Sequence, residues 1–449
     1  MGNGTRGLEK VLSFWDVFFI AVGQIIGAGV IAMTGIAIGM TGPGIILAYF
    51  VAAILVLIVS MLFMIGGAVI PSTGAFYTWP SRLINGWMGS IVLWLVLLSS
   101  LAISLYGSSF GTYINPIFPA LSVNMWGVVI ITIFFVANLC GLRLAVKMQM
   151  ILVVILVSAL CLYAGFALPS ISIDNLIPMF PFGASGFISA VTLLIFASGG
   201  AYLIVALGGE MKNPKRDIPL VVITSTISVS IIYAFVAIAS VGVIPWEKMV
   251  NQPLTVAGRA FLPSWAMTYF LVCGAGLAIC TTLNSQYIQL PRNFIVAAWD
   301  GVLPSWMATL NAKGSPKYII CLFYIIGVVP LLFGLKIDVI AKAATIAAIL
   351  PLIFLFVALV RLPRIMPEKY QEASFRLPRG WLWPVFVIAE GSMLTGVFFL
   401  AKDLTSSVLI VLFLWLVFSI GYYPIRRSFM EKKGIDLDKQ TRDMSIFEE

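Results

Sequence analysis

Twelve stretches of this 449-residue chain are each apolar over about the 20 residues that a helix needs to cross a bilayer, and this recurrence constrains the fold more than any motif does. They cover 13–39, 43–70, 86–113, 124–142, 146–168, 186–209, 217–243, 265–296, 316–334, 336–360, 382–400 and 404–426. Hydrocarbon offers the backbone no partners, so each run must satisfy its own N–H and C=O groups as a helix. Composition agrees: 10% of residues are charged and 61% are apolar, where soluble domains carry about 25% charge. The chain therefore reads as an all-α membrane protein with twelve transmembrane helices. It contains no histidine, which removes imidazole zinc sites, Ser-His-Asp triads and histidine proton relays. Its five cysteines, at 140, 161, 273, 280 and 321, lie singly inside apolar runs and read as core residues.

An even number of spans puts both termini on one side. With the termini in the cytoplasm, all but five of the 27 Lys and Arg residues fall inside, the exceptions being Lys248, Arg259, Lys336, Lys342 and Lys402. The positive-inside rule is strongly obeyed. The net charge of +9 thus encodes orientation in the cell membrane, with lipid as the neighbour, and nucleic acid is not expected as a partner. Segment 1 is too long and glycine-broken for a cleaved signal peptide. Ser13 and Asp16 ahead of it fit a helix-capping box.

Segment 1 carries Gly23, Gly27 and Gly29 within seven residues at mid-membrane depth, and segment 6 carries Ser198-Gly199-Gly200-Ala201. Glycine permits unwinding, and unwound backbone is tolerated at that depth only where it lines a cavity or binds something. Segments 1 and 6 are corresponding members of two five-helix halves, and paired interruptions of this kind point to a transporter site. Close packing through small residues is the other reading, since Gly23 and Gly27 satisfy the G-x-x-x-G spacing. Under the first reading the N–H groups of Gly27, Ala28 and Gly29 carry the positive end of a helix dipole and suit a carboxylate. Carbonyls near Phe196 and Gly199 suit an ammonium. Together they complement a zwitterionic α-amino acid.

Several motifs are similar to those of the amino acid, polyamine and organocation superfamily. They are Gly23-x-Ile25-Ile26-Gly27-Ala28-Gly29, Phe196-Ala197-x-Gly199-Gly200 followed by Glu210-x-x-Asn213-Pro214, Pro71-x-x-Gly74-x-x-Tyr77, Asn138-x-x-Gly141, Asn284-Ser285 with Arg292, and Asp300-Gly301-Val302-Leu303-Pro304. The resemblance implies a leucine-transporter-type 5+5 inverted repeat with discontinuous helices 1 and 6, working by alternating access. It divides the chain into a cytoplasmic tail (1–12), a first repeat (13–168), a second repeat (186–360), a cytoplasmic loop (361–381), helices 11 and 12 (382–426) and a cytoplasmic tail (427–449). Carried over by residue, it places carboxylate-binding backbone at Gly27, Ala28 and Gly29 and ammonium-binding carbonyls at Ile25, Phe196 and Gly199. Phe196 is also the aromatic that closes over substrate. From the residues themselves, Ser198 is a pocket contact or a packing residue, and Tyr202 is a candidate substrate contact.

Cationic and polyamine members have an acid where Tyr202 stands here, and a buried dication without a carboxylate is under-compensated. A neutral amino acid is therefore expected, with an amine, a polyamine or amino acid exchange as the alternative. In sodium-coupled relatives a hydroxyl pair on segment 8 and carbonyls of segment 1 hold the ion, which maps to Val22, Ile25, Thr281 and Thr282. No organic cofactor is implied. The two threonines could instead bond carbonyls one turn earlier, leaving proton coupling or exchange. Glu390, the one carboxylate near mid-span, is expected to pair at a helix or subunit interface, and monomer and homodimer both remain open. Ser99, Ser100 and Ser104 are pocket or packing residues. Glu210, Lys212, Lys215, Arg216, Asp217, Arg82, Arg143 and Arg292 are topology signals or gate ion pairs. No filter motif suggests a channel, and no titratable cluster at depth suggests an enzyme.

Overall fold

The computed structural model describes residues 8–334, 337–402, 404 and 406–447, without the side chains of 28, 29, 31, 32, 196, 337–343, 399–401 and 407. Among the described residues the architecture is all-helical, with only isolated β-bridges. In chain order the helices are α1 (Phe14–Ile25), α2 (Ala28–Thr41), α3 (Ile45–Val69), α4 (Ala75–Leu83), α5 (Gly86–Ser99), α6 (Ala102–Ile114), α7 (Val123–Leu139), α8 (Leu142–Ala167), α9 (Gly183–Ser198) and α10 (Pro214–Val243). There follow α11 (Thr255–Phe261), α12 (Ser264–Tyr269), α13 (Leu277–Trp299), α14 (Lys317–Leu332), α15 (Ile337–Val360), α16 (Leu362–Ile365), α17 (Pro367–Glu372), α18 (Arg379–Lys402), α19 (Ser406–Glu431) and α20 (Leu437–Thr441). Among the described residues eight helical stretches are long and apolar enough to cross a membrane, and Phe14–Ile25, Val123–Leu139, Gly183–Ile195 and Lys317–Leu332 are shorter apolar helices.

Local chemistry sets the ends. The Ser13 Oγ accepts from the Asp16 N–H, and the Asp16 carboxylate accepts from the Ser13 N–H at 2.9 Å, so the capping box expected before segment 1 is present. Segment 1 is two helices, α1 and α2, separated at Ile26 and Gly27. Segment 6 stops at Ser198. Gly199 is extended, Gly200 has φ +117°, and the chain continues as 3-10 turns over Ala201–Ala206 and Gly208–Glu210. A φ of that sign strains any residue with a Cβ.

Three features escaped the hydropathy reading. Segment 3 is interrupted between α5 and α6, where the Ser99 and Ser100 hydroxyls donate to the carbonyls of Val96 and Leu97. Segment 8 is one helical stretch from Ser264 to Trp299, containing a π-helical turn at Phe270–Gly276. Between segments 2 and 3 lies α4, fully buried although it is not apolar, because its polar groups are bonded internally. Helix α1 packs on α8, α10 and α13, and α2 packs on α9, so both breaks sit inside the bundle.

Candidate functional site

The two breaks lie side by side. Helix α1 packs against the 3-10 turn Ala201–Ala206 and α13. A Cβ on Gly200 would stand 3.3 Å from the Gln24 side chain. Helix α2 begins at this level, and the first N–H groups of any helix have no intrahelical acceptor. Helix α9 ends here, with its last carbonyls in the complementary position. Donors from one break and acceptors from the other therefore share a region.

Of the expected site residues, Gly27, Ala28 and Gly29 form the N-cap and first turn of α2. The Gly27 N–H donates back to the Ile25 carbonyl at 2.9 Å. That carbonyl also accepts from the Tyr233 hydroxyl at 3.2 Å, so Ile25 is held by α10, a partner the sequence did not suggest. Phe196 and Ser198 close α9, and Gly199 is its C-cap; the side chains of Phe196 and Ala28 fall outside the described residues. The Ser198 hydroxyl is buried with no hydrogen-bond partner among the described residues. Tyr202 stacks on Phe63 of α3 with ring centroids 4.7 Å apart, and thus belongs to an aromatic wall.

The threonines of α13 reach α1, meeting carbonyls one residue beyond those expected. Thr281 Oγ1 lies 3.4 Å from the Ile26 carbonyl and 3.0 Å from that of Ala278; Thr282 Oγ1 lies 3.2 Å from the Gly23 carbonyl and 3.1 Å from Ala278. The Val22 carbonyl is occupied by the Ile26 N–H at 2.9 Å. Pairwise bonds thus link five oxygens, those of Gly23, Ile26, Ala278, Thr281 and Thr282. Each hydroxyl bonds one turn back, as the alternative reading expected, and also spans to α1.

One turn along α13 an amide network fixes this geometry. Ser285 donates to the Ile20 carbonyl at 3.2 Å, Gln149 of α8 donates to Ser285 at 3.0 Å, and Asn284 donates to Gln149 at 2.8 Å and accepts from Asn138 of α7 at 3.0 Å. A Cβ on Gly23 would lie 2.0 Å from the Gln149 Nε2, so glycine is required where α1 passes α8. Asn138, Asn284 and Ser285 stood out as motif residues; Gln149 carried no signal, because a single amide in an apolar run has no spacing to mark it.

Toward the end of the bundle that holds Leu12 and Asp443 lie two buried ion pairs. Arg292 of α13 meets Glu210 with Nε–Oε1 at 2.8 Å and Nη2–Oε2 at 3.1 Å. Arg82 of α4 grips both oxygens of Asp300, and Tyr77 donates to the same carboxylate at 2.7 Å. Burial and the Asp300 carboxylate hold the Tyr77 phenol well above its ordinary pKa, so it remains a donor. Backbone bonds of 2.9 Å from Leu12 N to Glu210 O and from Lys212 N to Leu12 O lace the start of the chain to the stretch after the second break. Arg143, by contrast, makes only an exposed pair with Glu9, and Lys212, Lys215 and Arg216 are exposed. Glu390 on α18 is half-buried, and its Oε2 has no partner among the described residues.

Paired breaks of this kind inside an apolar helical bundle define a multi-pass membrane transporter rather than an enzyme. The chain belongs to the amino acid permease family, which it matches over residues 12–418. It is 23% identical to the branched-chain amino acid permease BcaP of Bacillus subtilis (strain 168), over 94% of each chain. It is likewise 23% identical to the protein of that name from Lactococcus lactis subsp. cremoris, over 89% of this chain and 94% of the relative. The cationic amino acid transporter 3 of Arabidopsis thaliana is 26% identical, over 68% of this chain and 54% of that longer protein.

Proposed function

We propose that this permease is a secondary active transporter for a neutral amino acid with an aliphatic side chain, working by alternating access in the cell membrane with both termini cytoplasmic. Twelve spans in a 5+5 inverted repeat plus two helices is the architecture this reading requires. The observation that carries it is the juxtaposition of the two breaks, with the N-terminal turn of α2 at one and the C-terminal carbonyls of α9 at the other. An α-carboxylate on the Ala28 and Gly29 N–H groups, the Gly27 N–H being bonded to the Ile25 carbonyl, and an α-ammonium on the Phe196 and Gly199 carbonyls fit this polarity.

Two observations favour a neutral side chain. Glu210, the first carboxylate after the second break, is committed to Arg292, and Tyr202 lies in an apolar aromatic wall. The full-length similarity to two branched-chain permeases points the same way. Similarity to cationic amino acid transporters keeps a cationic substrate as the second reading. The five oxygens of Gly23, Ile26, Ala278, Thr281 and Thr282 suit sodium, a hard cation that prefers such ligands. In proteoliposomes, labelled leucine uptake is expected to saturate, to be competed by isoleucine and valine, and to fall when external sodium is replaced by potassium. Saturable arginine or putrescine uptake that leucine does not inhibit would reverse the substrate assignment, and indifference to sodium would remove the ion site.

A further inference from the structure

The bundle end that holds Leu12 and Asp443 contains a cavity of about 420 Å3, lined by Lys10, Arg82, Lys212, Lys215 and Arg216 against a single carboxylate, Asp443. Small-molecule sites commonly fall between about 300 and 1,000 Å3. Arg82 is already paired with Asp300, whereas Lys212, Lys215 and Arg216 make no ion pair among the described residues. Orientation by the positive-inside rule needs cations near the span ends but no concavity around them. Cations gathered in a low-dielectric cleft raise its potential and concentrate anions there.

The surrounding backbone adds to this field and is rigidly held. Helix α10 is 30 residues long and starts at the cavity wall; its N-cap, Asn213, makes no side-chain capping bond among the described residues, and Asp217 is the one acid of its first turn, buried outside the cavity lining. The Leu12–Glu210 and Lys212–Leu12 backbone bonds fix one wall. The C-terminal segment forms the opposite wall, tied down by Arg82 Nε donating to the Asp443 carbonyl at 3.3 Å and Lys369 Nζ donating to the Phe447 carbonyl at 3.2 Å. The binding region at the helix breaks has none of this excess positive charge, so the two sites differ in chemistry as well as place.

We propose that this cavity binds a phosphate-bearing anion through Lys212, Lys215 and Arg216 of the chain after the second break. The phosphate could arrive as a lipid headgroup from the bilayer surface or as a soluble phosphate compound. Bound there, it neutralises the cations that follow the second break and, on the transport reading proposed above, favours the arrangement in which those residues are held as seen in this structure.

The test is thermal unfolding of the purified full-length protein at constant ionic strength, with and without inorganic pyrophosphate. A parallel arm uses nanodiscs of phosphatidylcholine with or without phosphatidylglycerol. A saturable rise in melting temperature is expected in at least one arm. A response to pyrophosphate identifies a soluble anion, and one to phosphatidylglycerol alone a headgroup; both support the site. The variant Lys212→Gln/Lys215→Gln/Arg216→Gln is expected to lose the response, and Lys432→Gln/Lys433→Gln, outside the cavity, to keep it. No saturable response in either arm, or an undiminished one in the triple variant, overturns the proposal. Should the triple variant not fold, Lys215→Gln is read the same way, with half-saturation expected to weaken about threefold, the size of one exposed charge contact; no change overturns it. No amino acid is used in these measurements, so their failure and a failure of the transport reading are separable.

Discussion

Thr281 and Thr282 differ from ordinary helix hydroxyls in what else they reach. Hydroxyls in membrane helices routinely bond a carbonyl one turn back, and these two do so at Ala278, but each also faces a carbonyl of α1. Replacing both with valine keeps their shape and removes two of the five oxygens. Sodium stimulation of uptake is expected to disappear in that double variant, with apparent sodium affinity in each single variant falling about tenfold, as for a lost hydrogen-bonding group on a charge. Retained stimulation would move the ion elsewhere. The Arg82–Asp300 pair is a different case, structural and almost wholly buried. Asp300→Asn leaves a buried guanidinium uncompensated, and breaking such pairs costs about 3–5 kcal/mol. Its melting temperature should fall well below that of an Arg82→Leu/Asp300→Leu double variant, which removes both charges together.

The breaks were legible in the sequence because glycine clusters at membrane depth have few uses; their partners were not. Hydropathy marks where helices run but not which helix neighbours which, so Tyr233 on the Ile25 carbonyl and Gln149 against Gly23 carried no advance signal. The same blindness hid α4, whose buried polar residues read as a loop, and the Ser99–Ser100 interruption, where hydropathy stays high through the bend. The α1 carbonyls that the threonines meet lie one residue beyond those expected for a related reason: helix phase near a break depends on where unwinding starts, and glycine content does not fix that to one residue. Gly200 is the sharpest test of the second break. Its φ of +117° and the 3.3 Å approach to Gln24 predict that Gly200→Ala loses most uptake while remaining in the membrane. Gly165→Ala, in α8 with nothing within 4 Å, should transport normally.

In the whole molecule, one end of the bundle is closed by buried ion pairs, a backbone ladder and a docked C-terminal segment. On the proposed alternating-access reading, with the termini in the cytoplasm, this is the inner end, and the Arg292–Glu210 pair and the backbone ladder are the contacts that open. In a background with the native cysteines replaced, Lys215→Cys should react with an impermeant maleimide only after cells are permeabilised, and Lys248→Cys should react in intact cells; the reverse would invert the topology. The central claim is that main-chain groups at two helix breaks recognise both ends of an amino acid. It is tested most directly by counterflow of labelled leucine into leucine-loaded proteoliposomes, with leucinamide, 4-methylpentanoate and putrescine as competitors. Preloading should accelerate uptake, and each compound lacking the carboxylate or the ammonium should compete at least about a hundredfold less well than leucine, because its absent group leaves site polar atoms unpaired. Competition by leucinamide or putrescine as strong as that by leucine, or uptake indifferent to preloading, would contradict it.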